Sequence, residues 1–300
     1  MMMGVDMTGR GRAMNRDILT VIQENVHAFS KGQRKIASFI LESYDKAAFM
    51  TASRLGKRVG VSESTVVRFA FELGYDGYPD MQRSLQKMIR NRLTTVQRIE
   101  VTNDRLGDRD LLSMVLQSDI EKIRQTLEEL DRESFDRAVE AIVSARKIYV
   151  IGVRSSASIA SFLYFYCNLI FENVVLVSAN TASEIFESLL RVGEGDVVVG
   201  ISFPRYSSRT VQAMSFARDR GATTVAITDS ESSPLASISS YTLMARSDMA
   251  SFVDSLVAPL SLVNALLVAV SQRKNEDVAH TFHTLEKIWD EYNVYEKVPE

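Results

Sequence analysis

The spacing of apolar positions divides the chain into a helical first third and a mixed remainder. From Ile18 to about Ile89 apolar residues recur at helical intervals, as at Ile36 and Ile40, and no convincing run alternates with a period of two. The segment from Val96 to Asp110 is polar and has few large apolar side chains, which is typical of a linker. The predicted divisions are a helical domain at 1–95, a linker at 96–110 and a second domain at 111–300.

The remainder begins with helices and then alternates between helices and short β-branched runs. One apolar stripe at helical spacing spans Leu112–Leu127, and a second helix is expected from Glu133. Continuous apolar strands that alternate with helices indicate a parallel sheet covered on both faces. We therefore expect an all-α domain followed by an α/β domain whose five-stranded parallel sheet is flanked by helices. The predicted strands are Lys147–Ile151, Val174–Val177, Val197–Ile201, Thr224–Ile227 and Tyr241–Met244.

The single cysteine and the longest apolar run both point to a cytoplasmic protein. Cys167 lies in the apolar stretch Phe162–Phe171 and has no partner for an internal disulfide, which suits a reducing compartment and a buried, inert thiol. The run Leu256–Val270 contains Pro259 and Asn264 and is shorter than the roughly twenty residues that a membrane span needs. We expect this run to be a buried helix and the protein to have no membrane partner.

Charge separates the two parts of the chain. Residues 1–100 carry 16 Lys and Arg against 10 Asp and Glu, whereas the remainder carries 19 against 28. A basic first third favours contact with a polyanion, which the acidic remainder would repel.

The basic part contains a predicted helix-turn-helix between Thr51 and Leu73. Ala52–Arg58 forms the first helix, Gly60 permits a positive φ in the turn, and Ser62 is the expected N-cap of the second helix. Short hydroxyls at that N-terminus and an arginine one turn later suit the major groove, and basic residues beside the turn suit phosphates. The candidate DNA-binding residues are Lys57, Arg58, Ser62, Glu63, Ser64, Thr65 and Arg68. A plain helical hairpin with a solvated outer face, and Arg68 as a surface charge, remain alternatives.

Two loops of the α/β part resemble anion sites in form. The first predicted strand runs into Gly152-Val153-Arg154-Ser155-Ser156, and the third into Ser202-Phe203-Pro204-Arg205-Tyr206-Ser207-Ser208, each before a helix. Ligands of open parallel sheets bind beyond the carboxyl ends of the strands, where both loops are expected. Neither loop fits a P-loop or a dinucleotide-binding glycine pattern, so nucleotide binding is not expected.

Few groups are suited to catalysis or metal binding. His27 lies in the helical part, and His280 and His283 lie in the C-terminal tail without a metal-ligand partner in reach along the sequence. Aldose–ketose isomerisation needs a base and an acid near the sugar, so a non-enzyme with no metal or cofactor is expected. Glu184, after the second strand, is a candidate for a sugar hydroxyl, but a helix N-terminal acid explains it equally well.

Several phrases of the sequence carry a family resemblance. GVSESTVVRF followed by LGYDGYPDMQ, within Phe29–Ile89, resembles the N-terminal domain of the RpiR/MurR family of bacterial sugar-responsive regulators. GDVVVGISF, RDRGATTVAIT and SSPLA, within Leu112–Ser271, resemble the SIS (sugar isomerase) domain that usually follows in this family. The resemblance implies that the Ser62 helix is the recognition helix and that the second domain is a flavodoxin-like three-layer sandwich.

The SIS resemblance also implies which hydroxyls hold a sugar phosphate. They are Ser155, Ser156, Ser202 and Ser207, with Ser208 and Thr210 as weaker neighbours. Two departures matter, because Arg154 replaces the usual second glycine of the first loop and Pro204-Arg205 replaces the usual serine-glycine of the second. Arginine binds phosphate or carboxylate through a planar fork, so the ligand is a sugar phosphate or a sugar acid, unless these arginines only form surface salt bridges.

The expected function is a sugar-phosphate-responsive DNA-binding regulator of a carbohydrate catabolism operon. Its partners would be operator DNA, the effector, and a second copy in a homodimer or homotetramer. The Leu112–Leu127 stripe and the Leu256–Val270 helix are candidate dimer contacts. The alternatives are a sugar-phosphate isomerase with an added helical domain, and a ligand-insensitive DNA-binding protein whose second domain only oligomerises.

Overall fold

The computed structural model describes residues 18–90, 94, 96–99, 110–178, 181–247 and 253–296. The chain divides into two compact units, Met1–Asp108 and Arg109–Glu300. Each unit has its own buried core, as a chain of this length requires.

The first unit is helical over residues 18–90, where the structure contains no strand. Ser30 opens the second helix with a capping box, since its Oγ accepts from the Gln33 amide and the Gln33 side chain accepts from the Ser30 amide. This unit confirms the helical pattern predicted from apolar spacing. Its helices are α1 (Ile18–Asn25), α2 (Lys31–Glu42), α3 (Tyr44–Ala47), α4 (Ala52–Val59), α5 (Glu63–Glu72) and α6 (Tyr78–Arg90).

Aromatic side chains fix the core of this unit. Phe29, just before α2, packs edge to face on Phe69 of α5 with ring centroids 5.1 Å apart. The buried Tyr78 hydroxyl donates to the Met50 carbonyl at 2.7 Å, and burial raises the pKa of this phenol to about 12. The first contact holds α5 against the segment before α2, and the second ties the start of α6 to the segment before α4.

The predicted linker at 96–110 begins with a helical turn. Residues 96–99 are helical, and Thr94 caps them by accepting from the Gln97 amide. Arg98 in this turn is 3% exposed. Residues 100–109 of the predicted linker, like residues 1–17, lie outside the described residues.

The second unit is an α/β fold with one parallel sheet. With the strands numbered β1 to β5 along the chain, their order in the sheet is β2-β1-β3-β4-β5. Every neighbouring pair is parallel. All five predicted strands are present, and each bound lies within one residue of its prediction. The strands are β1 (Lys147–Gly152), β2 (Val174–Leu176), β3 (Asp196–Ile201), β4 (Thr223–Thr228) and β5 (Tyr241–Met244).

Helices cover both faces of the sheet, which confirms the three-layer arrangement. One core joins strand residues such as Val150 and Val199 to three helices on one face of the sheet. The other core joins Tyr149 and Val198 to two helices on the opposite face. The helices are α7 (Leu111–Glu129), α8 (Arg132–Ser144), α9 (Ser156–Ile170), α10 (Ala182–Ser188), α11 (Ser208–Asp219), α12 (Val257–Arg273) and α13 (Asn275–Glu291).

Two expectations about apolar segments are also met. The run predicted as a buried helix forms α12, whose Leu262, Val263 and Leu266 are buried. Cys167 in α9 is 2% exposed, and burial raises the pKa of its thiol to about 12. Among the described residues, no helix combines the length and apolar character that a membrane crossing needs.

Candidate functional site

The turn between α4 and α5 has the geometry of a helix-turn-helix. Gly60 ends α4 in the left-handed region at φ 71°, and its amide donates to the Gly56 carbonyl. A Cβ on Gly56 would lie 2.8 Å from the Val61 carbonyl oxygen, closer than any side chain permits. Two glycines therefore allow the turn, one through its left-handed backbone and the other through close packing.

Ser62 starts α5 as the sequence predicts. Its Oγ accepts from the Thr65 amide at 3.3 Å and lies 2.9 Å from Ser64 Oγ. Ser62, Glu63, Ser64 and Arg68 are exposed, so four candidate residues of α5 share one open surface. Val66, Phe69 and Ala70 point the other way and are buried.

Thr65 is the least exposed of the candidate residues on α5. It is half-buried, its Oγ1 lies 2.8 Å from Ser62 Oγ, and its Cγ2 would be 3.4 Å from a Cβ on Gly32 of α2. Thr65 thus helps to hold α2 against the start of α5. This packing leaves Thr65 less exposed than the other candidates of α5, and its contact with DNA stays a prediction.

Lys57 and Arg58 lie in the last turn of α4, next to Gly60, and both are exposed. Within the described residues neither side chain forms an ion pair, so both charges are available beside the turn. Arg68 is also exposed, and its Nε donates to the Ser64 carbonyl at 3.4 Å.

The sheet reverses its winding between β1 and β3. From β1 the chain moves outward to β2, and from β3 it moves the other way to β4 and β5. Gly152 at the end of β1 pairs in register with Ile201 at the end of β3. The loops after these two strands therefore open into the same crevice, which is the usual ligand position in such sheets.

The first loop is shaped by a close approach of helix to strand. A Cβ on Gly152 would lie 2.5 Å from the Ser156 carbonyl oxygen and 2.9 Å from Ala160 Cβ. Ser156 is the buried first residue of α9, whereas Ser155 is exposed and makes no side-chain capping hydrogen bond. Gly152 is therefore the packing residue of this loop, and Ser155 presents a free hydroxyl.

The second loop is held by a buried serine. Ser202 is 3% exposed, and its Oγ accepts from the Ser207 amide at 3.1 Å. Ser207 in turn caps α11, because its Oγ accepts from the Thr210 amide. The Thr210 hydroxyl is buried without a hydrogen-bond partner among the described residues. Ser208 is exposed at the start of α11.

Both loops place an arginine in a left-handed backbone conformation. Arg154 has φ 61° and Arg205 has φ 63°, a region that side chains with a Cβ seldom adopt. Both side chains are exposed. The Arg154 guanidinium has no hydrogen-bond or ion-pair partner in the described part of the chain. Each loop thus contains a cation in a strained backbone conformation.

Glu184 belongs to the first turn of α10 and not to a loop. It is half-buried, and its carboxylate accepts from the Ser178 hydroxyl at 2.7 Å. Its amide donates to Thr181 Oγ1, which caps the helix. Residues 179–180 of this connection lie outside the described residues.

Sequence reasoning missed one carboxylate at this edge of the sheet. Asp229 follows β4, is 6% exposed, and accepts from the Tyr206 hydroxyl at 2.6 Å. It thereby ties the second loop to the end of the neighbouring strand. The rule that singled out Ser202 comes close to finding it, since Asp229 lies two residues after the predicted strand Thr224–Ile227 and directly after the observed strand.

None of the three histidines belongs to these loops. His27 is exposed in the first unit, and His280 and His283 are exposed on α13. Within the described residues no group of three His, Cys, Asp or Glu side chains is placed to hold a metal ion.

Comparison with known proteins identifies both units. Residues 16–92 match the model of the helix-turn-helix domain of the rpiR family, and residues 141–269 match that of the SIS domain. A crystal structure of the sugar isomerase domain of an RpiR transcription factor from Sphaerobacter thermophilus is 31% identical. It superposes with a TM-score of 0.56 over 60% of this chain and 99% of that one. The chain belongs to the RpiR family of transcriptional regulators.

Two regulators match this chain over most of its length. An uncharacterized HTH-type transcriptional regulator of Caldanaerobacter subterraneus is 26% identical over 270 residues, which cover 87% of this chain and 93% of the relative. The HTH-type transcriptional regulator HexR of Pseudomonas aeruginosa is 27% identical over 270 residues, 87% of this chain and 92% of the relative. The predicted family and fold class are therefore confirmed.

Proposed function

We propose that this RpiR-family chain represses or activates a carbohydrate catabolism operon in response to a phosphorylated sugar or sugar acid. One observation carries the proposal. Two serine- and arginine-containing loops lie side by side at the point where the sheet reverses, and each leads into a helix N-terminus.

The donors of the two loops fit a phosphate group. The Ser155 and Ser208 hydroxyls are exposed near the first turns of α9 and α11, where unpaired amides and the helix dipole favour an anion. Ser202 and Ser207 shape the second loop through their own hydrogen bond. We assign the phosphate contact to these hydroxyls and amides, with Ser156 buried beneath them.

The arginines extend this site toward a second anionic group. Arg154 is exposed without an ionic partner in the described residues, and Arg205 is exposed in the other loop with the same left-handed backbone. The phosphate of an otherwise neutral sugar needs one anion site, whereas a phosphorylated sugar acid carries a carboxylate as well. Two guanidinium groups beside the serine loops favour the acid.

The first unit supports binding to operator DNA. Ser62, Glu63, Ser64 and Arg68 share the open face of α5, and the free charges of Lys57 and Arg58 flank the turn. Side chains at the N-terminus of a recognition helix read base edges, and neighbouring cations set its register on phosphates.

An exposed stripe on α7 favours a homodimer. Leu112, Leu116, Ile120 and Leu127 are 69%, 55%, 59% and 62% exposed, an unusual cost for a monomer. The other predicted contact, α12, buries most of its apolar residues in its own core, which leaves Val268 as its most exposed large apolar side chain. We therefore assign the dimer contact to α7 and expect two recognition helices to read a palindrome.

α7 follows the linker along the chain, so it is our candidate for the element that transmits ligand binding to the first unit. The buried Lys122 ammonium donates to Asp119 at 3.1 Å, and Ser255 donates to the same carboxylate at 2.6 Å. The Arg246 amide donates to Thr126 Oγ1. These bonds fasten α7 to the segment that follows β5, so a shift at the carboxyl edge of the sheet reaches the helix that follows the linker.

An isomerase would need a free acid or base beside the sugar. The carboxylates nearest the loops, Glu184 and Asp229, already accept hydrogen bonds from Ser178 and Tyr206. This arrangement supports a sensor, in which such groups orient loops, over a catalyst that moves a proton.

The test is an electrophoretic mobility-shift assay at fixed salt, in which the purified protein is titrated into the DNA that lies upstream of its own gene. It is run with aldose phosphates, ketose phosphates and phosphorylated sugar acids, and the same compounds are assayed for isomerisation. We expect one compound to change the affinity for specific DNA and none to be turned over. Catalytic turnover without a specific DNA complex would support the isomerase alternative.

Ser202→Ala separates the two parts of the proposal. It removes the acceptor for the Ser207 amide, so we expect ligand affinity to fall about 10- to 100-fold, while DNA affinity without ligand stays unchanged. Ser261→Ala, which removes an exposed hydroxyl on α12, is the matched control. Loss of DNA binding in the Ser202 variant alone would refute the division into sensor and reader.

A further inference from the structure

The recognition helix carries too little positive charge to bind DNA by itself. Over Glu63–Glu72 its only cation is Arg68, which is outnumbered by Glu63 and Glu72. Glu63 lies in the first turn, where the helix would meet the phosphate backbone. Affinity for a polyanion must therefore come from neighbouring elements.

α2 passes beside the start of this helix. A Cβ on Gly32 would lie 3.4 Å from Thr65 Cγ2 and 3.6 Å from Val61 Cγ1. A Cβ on Gly60 would lie 3.9 Å from Lys35 Nζ. The N-terminal half of α2 and the ammonium group of Lys35 therefore lie against the turn that positions the recognition helix.

This half of α2 has three exposed cations. Lys31 and Lys35 are one helical turn apart and share a face, and Arg34 lies next to them. Within the described residues none of their side chains forms an ion pair or hydrogen bond. Arginines of the second unit behave differently, since Arg124, Arg137, Arg146 and Arg218 each pair with a carboxylate.

Two of these cations, Arg34 and Lys35, also line a concave surface that includes the end of α4. A cleft of about 390 Å³ is lined by Arg34, Lys35, Ser38, Phe39, Glu42 and Val59. Its one carboxylate, Glu42, lies at the far end of α2 from Lys31 and leaves the N-terminal charges unneutralised.

We propose that Lys31, Arg34 and Lys35 of α2 form a second phosphate-binding surface, which grips the DNA backbone next to the groove that α5 enters. This inference rests on the proposed DNA binding and adds the element that supplies its electrostatic part. The surface contacts backbone only, so it strengthens binding to all sequences and leaves the choice of operator to α5.

The salt dependence of DNA affinity tests the surface. For Lys31→Gln/Lys35→Gln we expect the slope of log affinity against log salt to become shallower by about 1 per lysine, with the ratio of operator to random DNA unchanged. The charge-preserving pair Lys31→Arg/Lys35→Arg is expected to keep the wild-type slope.

A matched control removes two charges elsewhere in the same unit. Lys46 follows the other end of α2, and Arg83 on α6 is paired with Asp80 at 3.2 Å, so Lys46→Gln/Arg83→Gln lowers the net charge equally. We expect this control to keep the wild-type slope. Equal slope changes in both double variants would overturn the proposal in favour of a diffuse charge effect, as would no change in either. Absence of any wild-type complex would instead overturn the proposed function.

Discussion

Left-handed residues make sharp turns in both units, but the residues that adopt the conformation differ. In the helix-turn-helix it is Gly60, which has no Cβ and adopts φ 71° without steric cost. After β1 and β3 it is Arg154 and Arg205, at φ 61° and 63°. A left-handed conformation costs a residue with a Cβ roughly 1–2 kcal/mol. The loops after β1 and β3 therefore store strain that the turn at Gly60 avoids.

The serines beside these residues differ in the same way. Ser62 satisfies the Thr65 amide and so completes its own helix. Ser155 follows the left-handed Arg154 and makes no capping bond. The helix-turn-helix thus satisfies the first turn of its own second helix, whereas the loop after β1 leaves the Ser155 hydroxyl without a partner among the described residues. Strain of this kind is characteristic of binding sites.

Filling the space above Gly152 should have the largest effect. In Gly152→Ala the new methyl group would lie 2.5 Å from the Ser156 carbonyl oxygen, so α9 must move. We expect the free energy of unfolding to fall by about 1–3 kcal/mol and the ligand response to be lost. Denaturant titration and ligand-binding calorimetry measure both effects.

Gly193→Ala is the control for that substitution. Its Cβ would lie 3.7 Å from the Arg220 carbonyl oxygen, an ordinary contact. We expect a change of less than about 0.5 kcal/mol. Equal destabilisation by both variants would show that the close approach at Gly152 has no special weight.

Removing the two serine hydroxyls should give opposite results. Ser62→Ala loses a helix cap and should lower the free energy of unfolding by about 1 kcal/mol, whereas Ser155→Ala should change it by less than about 0.5 kcal/mol. Ligand affinity should fall only in the Ser155 variant. A destabilised Ser155 variant with unchanged ligand affinity would assign this hydroxyl to structure.

Relaxing the Arg154 backbone should stabilise the protein slightly. Arg154→Gly removes roughly 1–2 kcal/mol of backbone strain, and the added chain entropy of glycine offsets about 0.5–1 kcal/mol of it. We expect the free energy of unfolding to rise by at most about 1.5 kcal/mol while ligand affinity falls. Arg154→Lys retains the charge and the strain, and should retain more of the affinity than the glycine variant.

Local patterns in the sequence were sufficient for most of the fold. The strand ends at Gly152 and Ile201 follow from β-branched runs, and the turn at Gly60 and the cap at Ser62 follow from the known preferences of these residues. These features depend on neighbours along the chain, and for that reason periodicity and capping rules predict them.

Contacts between distant segments could not be predicted in this way. A helical wheel places Thr65 outside, but Gly32 lies over it. The bond from Tyr206 to Asp229 spans 23 residues, and it appears only when β3 and β4 lie side by side. The candidate ligand and DNA residues remain predictions from position, because their test is binding itself.

The inert thiol of Cys167 makes this chain suitable for fluorescence measurements. It is the one cysteine of the sequence, and a pKa of about 12 leaves almost no thiolate at neutral pH. A cysteine introduced at an exposed site such as Ser208 would therefore be the single position that a maleimide dye modifies. The native sequence thus offers a background-free reporter of loop closure, with no cysteine to remove first.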